Sequence, residues 1–91
     1  MPSLRIQFGR NLRSLRISQD WTQEHLAERL GVSVNFVSFV ERGIKSPSFD
    51  RLERIAKVFR VPVAQLFEMG RKNSERQRVD RGSKIRNKSR L

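Results

Sequence analysis

The sequence has 91 residues, with 20 lysines and arginines against 9 aspartates and glutamates, one histidine and no cysteine. This length allows one compact domain with a modest core, and without cysteine the fold has neither a disulfide framework nor a thiolate zinc site. The net charge of +11 favours polyanionic partners, and because no apolar run approaches the roughly 18 residues that cross a bilayer, we expect a soluble, cytoplasmic protein without a membrane partner.

The first half of the chain predicts three helices and no strand. The first spans about residues 3–17, where apolar residues recur at intervals of three and four and share one face: Leu4, Phe8, Leu12 and Leu15. A second, short helix begins after Thr22, a capping residue, and ends at Gly31. Ser33 caps a third helix, which runs to Val40 or Arg42 and is terminated by Gly43.

Two further helices are predicted after the loop "GIKSP". Ser48 caps the fourth, whose apolar face consists of Leu52, Ile55, Ala56 and Phe59. Pro62 suits the first turn of a short fifth helix. The apolar residues of that last helix are Val63, Leu66 and Phe67.

The spacing within residues 22–43 predicts how the second and third helices meet. Two helices joined by a three- or four-residue turn cross at a steep angle, so only a small side chain fits near the crossing, and Ala27 occupies that place. Gly31 supplies the positive φ that the turn needs, while Val37 and Val40 point back onto the preceding helix. This pattern predicts a helix-turn-helix.

The same residues resemble a known family, the phage-repressor and Cro type of helix-turn-helix proteins, also called Xre-like. The stretches that carry the resemblance lie within about residues 6–68 and are "TQEHLAERLGVS", "FVSFVERG" and "SPSFDRLERIAKVFRVPVAQLF". The resemblance implies a compact, all-α, five-helix, lambda-repressor-like DNA-binding domain over residues 1–69. Such domains regulate transcription and usually bind operator DNA as homodimers.

The third helix carries the predicted base contacts. With about 100° between successive residues, placing Val37 and Val40 inward leaves the opposite face to a polar or exposed set of residues: Asn35, Ser38, Phe39 and Arg42. In the family this helix enters the major groove, where an asparagine pairs with adenine through two hydrogen bonds. We therefore predict base contacts from Ser33, Val34, Asn35, Ser38 and Phe39. Phe39 packs on a thymine methyl or a deoxyribose, or else folds back on the protein.

Phosphate contacts are predicted from polar side chains around this helix. Gln23 matches the family's glutamine at the start of the second helix, which resembles a phosphate clamp. The further candidates are Arg42, Lys45, Arg10 and Arg13. Arg16 and Glu41 match a pair that bridges the first and third helices in relatives, so the resemblance implies a structural ion pair between them.

Residues 70–91 are predicted to form a flexible, basic C-terminal arm. Residues 71–91 carry 9 basic and 2 acidic side chains and too few apolar ones to build a core. The arm either engages neighbouring phosphates and steepens the salt dependence of binding, or is a solubilising tail or a remnant of a longer chain. Just before it, Val63, Leu66 and Phe67 either close the core of the domain or contact the second subunit of a homodimer.

These patterns favour a sequence-specific transcriptional regulator whose partner is double-stranded operator DNA. An antitoxin-type interaction protein with autoregulatory DNA binding is the alternative, and RNA binding is a third possibility. We expect no enzymatic activity, because one isolated histidine, no cysteine and no convergent carboxylates leave no acid, base or nucleophile constellation. We also expect no metal, no cofactor and no small-molecule effector.

Overall fold

The computed structural model describes residues 3–68, which fold into four α-helices and one 3-10 helix. The elements are α1 (Leu4–Ser18), α2 (Gln23–Leu30), α3 (Val34–Glu41), α4 (Phe49–Phe59) and the 3-10 helix (Val63–Phe67). This part of the chain contains no strand, so the predicted all-α class is confirmed. The predicted arm, residues 70–91, lies outside the described residues.

The fifth element is a short helix, as predicted, but in 3-10 geometry. It is a 3-10 helix of five residues, and Pro62 precedes it in an extended conformation and does not lie within its first turn. Five residues are too few for the repeated hydrogen bonds that favour an α-helix, whereas 3-10 geometry is common in short pieces.

Each α-helix begins with a hydroxyl cap. The side-chain oxygen of the capping residue accepts a hydrogen bond from the backbone N–H three residues further on, over 2.9–3.2 Å, at Ser3, Thr22, Ser33 and Ser48. A cap of this kind stabilises a helix by about 1 kcal/mol. The caps therefore fix where α1 to α4 begin, and they match the predicted starts within one residue.

The helix ends are less regular than the sequence indicates. Gly31 and Gly43 have positive φ, as expected for residues that follow a helix. Arg60, however, ends α4 in the left-handed conformation with φ 58°, and Asp20 follows α1 with φ 61°. An L-residue with a Cβ is disfavoured there by about 1–2 kcal/mol, so the end of α4 carries backbone strain that a glycine would not.

One core connects all five elements. Twelve apolar side chains form it, each less than a tenth exposed: Phe8, Leu12, Leu26, Ala27, Leu30, Val37, Val40, Leu52, Ile55, Ala56, Phe59 and Leu66. Leu15 packs at its edge, half-buried. Leu4, predicted on the same apolar face, is instead 57% exposed. Leu4 is the first residue of α1 and lines an apolar groove together with Phe8, so it lies at the edge of the molecule and not in the core.

Gly9 lets α1 approach α3 closely. A Cβ at Gly9 would lie 2.7 Å from the carbonyl oxygen of Glu41 and closer still to that of Val40. These are backbone atoms that no side-chain rotation can move away. Close helix contact was predicted only at Ala27, and the role of Gly9, which brings the backbone of α3 against its supporting helix, was not predicted.

Candidate nucleic-acid interface

Residues 22–42 form two short helices joined by a tight turn. α2 ends at Gly31, in the left-handed conformation with φ 72° and ψ 34°. The amide of Val32 donates to the carbonyl of Ala27 over 3.0 Å and that of Gly31 to the carbonyl of Glu28 over 3.3 Å, which is a Schellman ending. Ser33 then caps α3. Only residues 31–33 separate the helices, so they form the predicted helix-turn-helix.

The inner face of α3 is apolar and fully covered. Val37 and Val40 are each 1% exposed and lie in the same core as Leu26, Ala27 and Leu30 of α2. The small side chain of Ala27 is itself 4% exposed. This packing fixes the rotation of α3 about its own axis and thereby determines which side chains face solvent.

A buried polar network ties the C-terminal end of α3 to α1 and α2. Arg16 Nε lies 2.7 Å from Glu41 Oε2, and the two side chains are 11% and 2% exposed. Glu41 Oε1 accepts a further bond from Arg16 over 3.2 Å and one from Gln23 Nε2 over 3.0 Å. The remaining guanidinium nitrogen of Arg16 donates to the carbonyl of Trp21 over 2.7 Å. Each member of the network has partners, as a buried charge requires.

The outer face of α3 is polar and open. Ser33 and Asn35 are exposed, Ser38 is half-buried, and Val34 is 37% exposed. Ser33 accepts a bond from the amide of Phe36, but its hydroxyl hydrogen remains available to donate. Asn35 has both an amide donor and a carbonyl acceptor in solvent, the pair of groups that an adenine edge matches. The structure thus brings four of the predicted base contacts onto one accessible surface.

Phe39 contacts two cations at the end of this face. The Arg42 guanidinium carbon lies 5.4 Å from the centroid of the Phe39 ring and Lys45 Nζ 5.9 Å from it. No carboxylate among the described residues is within 4.0 Å of either cation. Cation–π contacts of this kind orient long side chains that would otherwise be free. These three residues were predicted separately as DNA contacts, and their clustering was not foreseen.

The other phosphate candidates lie on α1 and α2. Gln23 uses one amide hydrogen for Glu41, which leaves its second hydrogen for another acceptor. Arg10 and Arg13 are exposed on α1. Arg13 lies about 200° around α1 from Asn11, whose amide donates to the carbonyls of Leu66 and Glu68, so it lies on the side of α1 turned away from the 3-10 helix.

Most of the remaining aromatic side chains pack within the protein. Phe36 packs against the core, and the Arg51 guanidinium of α4 lies 4.9 Å from its ring centroid. Trp21 packs against Phe59, with 5.4 Å between ring centroids and ring planes tilted by 34°. Phe36 and Trp21 are therefore structural residues at the edges of the domain core.

The three predicted dimer residues are placed differently from one another. Leu66 is 0% exposed and closes the core, so it offers no surface to a partner. Phe67 is half-buried and its ring centroid lies 5.2 Å from that of Phe8. Val63 is 38% exposed. Of the three, only Val63 and Phe67 have area left for a second subunit.

Residues 3–68 contain neither a metal-binding cluster nor a membrane-spanning helix. No group of three or more histidine, aspartate or glutamate side chains there is placed to hold a metal ion. None of the helices in this stretch is long and apolar enough to cross a membrane.

Comparison with known proteins points to one family. A family model described as "Helix-turn-helix" (HTH_3) matches residues 12–66. The chain is 37% identical over 59 residues to the cryptic phage CTXphi transcriptional repressor RstR of Vibrio cholerae, covering 65% of this chain and 53% of that protein. A transcriptional regulator of Mycobacterium tuberculosis is 44% identical over 59 residues, covering 65% and 42%. The chain thus spans about half the length of these curated relatives.

Solved structures agree in fold. The restriction-modification controller protein C.AhdI from Aeromonas hydrophila superposes with a TM-score of 0.65 at 32% identity, covering 68% of this chain and 94% of that one. A hypothetical transcription factor from Neisseria superposes with a TM-score of 0.69 at 31% identity, covering 82% and 83%.

Proposed function

The chain belongs to the HTH_3 helix-turn-helix family, and from this premise we propose that it is a transcriptional regulator that binds operator DNA as a homodimer. In this proposal α3 enters the major groove as the recognition helix. The single observation that carries it is the division of α3 into two faces: Val37 and Val40 are buried, while Asn35 is exposed on the opposite side. A helix presented in this way fits the width of the major groove.

Base contacts come from the N-terminal half of α3. Asn35 forms two hydrogen bonds with an adenine, a contact that discriminates against other bases by about 1–3 kcal/mol. Ser33 and Ser38 donate or accept at neighbouring base edges, and Val34 contacts a thymine methyl group. Phe39 lies at the far end of the face.

Phosphate contacts hold the domain in register on the duplex. Arg42 and Lys45 flank the Phe39 ring with no described carboxylate near them, so both charges are available to DNA phosphates. Gln23 offers its second amide hydrogen, and Arg10 and Arg13 extend the basic surface along α1. Such contacts give affinity and orientation but carry no sequence information.

The regulator represses transcription by occupying its operator. Two relatives named as repressors, from Vibrio cholerae and Acinetobacter baylyi, support this direction, whereas a relative from Enterococcus faecalis is named as an activator. Residues 70–91 add a surplus of positive charge next to the domain. We assign that arm to non-specific phosphate binding, which would increase affinity for every DNA sequence alike.

The test begins by selecting bound duplexes from a random pool and then compares two variants on the selected duplex. Asn35→Ala is expected to weaken binding to the selected duplex by about 5- to 150-fold, the equivalent of the 1–3 kcal/mol above. It should leave binding to random duplex nearly unchanged. Gln19→Ala removes an exposed amide at the end of α1 and serves as the matched control. Equal losses of Asn35→Ala on both duplexes would contradict the assignment.

A further inference from the structure

We propose that the two subunits of the homodimer join through a surface at one end of the domain, where Phe49 of each copy enters an apolar groove of the other. This inference rests on the homodimer of the proposed function and specifies its contact surface. It keeps Phe67 as a dimer contact, as predicted, and removes Leu66 from the predicted dimer contacts because Leu66 is buried.

Exposed apolar side chains are concentrated at this end. It is formed by the start of α1, the loop between α3 and α4, and the start of α4. The large apolar residues exposed there are Leu4 at 57%, Ile6 at 37%, Ile44 at 54% and Phe49 at 85%. Clustered exposed apolar side chains are typical of a surface that contacts another macromolecule. We call this part of the molecule the end surface and take it as the candidate interface.

A groove opens in the same surface. Its volume is about 270 Å³, and its apolar lining consists of Leu4, Phe8, Pro47, Leu52 and Phe67. Arg5 is the charged residue of the lining. An apolar cavity of about 150 Å³ accommodates benzene, so this groove has room for a phenylalanine ring.

Phe49 does not fill the groove of its own subunit. It is 85% exposed, although Pro47 and Leu52 on either side of it in the chain both line the groove. An aromatic side chain and a recess of suitable size thus lie side by side on one surface. A two-fold symmetric interface requires this kind of self-complementarity, because each patch must contact a copy of itself. In the proposed dimer, the Phe49 ring of a second copy fills the groove.

The charges at the groove favour a second copy over the basic arm. Arg5 donates from Nε to the carbonyl of Gly43 over 2.8 Å, and no described carboxylate lies within 4.0 Å of its guanidinium. Asp50, next to Phe49, likewise has no described cation within that distance. When Phe49 of one copy enters the groove of the other, Asp50 accompanies it toward the partner's Arg5. Residues 71–91, with 9 basic and 2 acidic side chains, would bring like charge to Arg5 instead.

The first experiment measures the dimer dissociation constant of the full chain by sedimentation equilibrium. Phe49→Ala is expected to raise it at least tenfold. Ile17→Ala is the matched control, since Ile17 is 50% exposed at the other end of α1, and it should leave the constant unchanged. An unchanged constant for Phe49→Ala overturns the proposal. So does a wild-type chain that stays monomeric at all concentrations and associates only with a different protein.

A charge exchange tests the symmetric geometry. Asp50→Arg and Arg5→Asp each place like charges together in their own homodimers, so each is expected to raise the dissociation constant at least tenfold. Mixed in equal amounts, the two variants restore both pairs at once and should form a heterodimer of near wild-type stability. Thermal unfolding of each variant verifies the fold, because Arg5 also bonds Gly43. Folded variants that fail to form the heterodimer overturn the proposal.

DNA binding separates failure of this inference from failure of the proposed function. The end surface lies outside the outer face of α3, so Phe49→Ala should bind a duplex with one half-site as well as wild type does. It should lose cooperative binding to two half-sites. If wild type shows no preference for any selected duplex, the proposed function fails while the sedimentation results still decide the interface.

Discussion

Replacing Glu41 by alanine is expected to lower the free energy of unfolding by about 3–5 kcal/mol, the usual cost of removing one partner of a buried ion pair. The cost is large because the change leaves the Arg16 guanidinium buried without its carboxylate, with a side chain only 11% exposed. The Gln23 amide also loses its acceptor. At roughly 0.05–0.15 kcal/mol per residue, a domain of this size has only about 3–10 kcal/mol of stability.

The assay is urea unfolding followed by the fluorescence of Trp21, the one tryptophan of the chain. Trp21 is half-buried and packs against Phe59, so its emission changes when the domain unfolds. Glu53→Ala removes an exposed carboxylate from the solvent face of α4 and should change stability little. The double replacement Arg16→Met with Glu41→Leu removes both charges together and should cost less than Glu41→Ala alone.

Two outcomes would refute this reasoning. A loss below about 1 kcal/mol for Glu41→Ala would mean that the pair behaves as a solvated surface salt bridge. A double variant whose loss equals the sum of the losses of Arg16→Met and Glu41→Leu, each measured alone, would mean that the two side chains act independently.

Three further predictions concern the backbone and the arm. Gly9→Ala should lower stability by about 3 kcal/mol, measured by thermal unfolding, because its Cβ meets the backbone carbonyls of α3; a neutral result would mean that the helices separate freely. Gly31→Ala should destabilise the domain by about 1–2 kcal/mol and Arg60→Gly should stabilise it by about 1 kcal/mol, since both residues have positive φ. If urea unfolding showed that both variants change the free energy of unfolding in the same direction, the strain argument would be contradicted. Deleting residues 71–91 should weaken binding to all duplexes. It should also reduce the slope of log affinity against log salt by about 0.9 for each phosphate that the arm neutralises in the wild type. An unchanged slope would show that the arm does not contact DNA.

Local signals predicted most of the fold correctly. The hydroxyl caps, Gly31 and the spacing of Val37 and Val40 are properties of neighbouring residues, and these placed the helix-turn-helix and its exposed face. The end of α4 escaped prediction, because Arg60 adopts a conformation for which its side chain gives no indication. The backbone contact at Gly9 was also not predicted, because it depends on how α1 and α3, which are distant in the sequence, pack together.

The candidate site was likewise predicted where it depends on neighbouring residues and missed where it depends on contacts between distant segments. Helical periodicity was enough to place Asn35 outward, because rotation about a helix axis is a local property. The contacts of Phe39 with Arg42 and Lys45 required the path of the loop after α3. Likewise, Gln23 donates to Glu41 only because α2 and α3 converge near Arg16. Contacts between elements depend on tertiary geometry, which one sequence does not specify by spacing alone.

The anchoring of α3 has a consequence for how this protein could change its target. The Ser33 hydroxyl caps one end of the helix by accepting a hydrogen bond from the Phe36 amide, and the Arg16–Glu41 pair holds the other end against α1. Within residues 3–68, the side chains of Asn35 and Ser38 form no hydrogen bond with another side chain. Under the proposed function, natural variation or deliberate redesign at those two positions would therefore alter the preferred operator while the scaffold stays intact, so that new specificities arise without a search for compensating mutations.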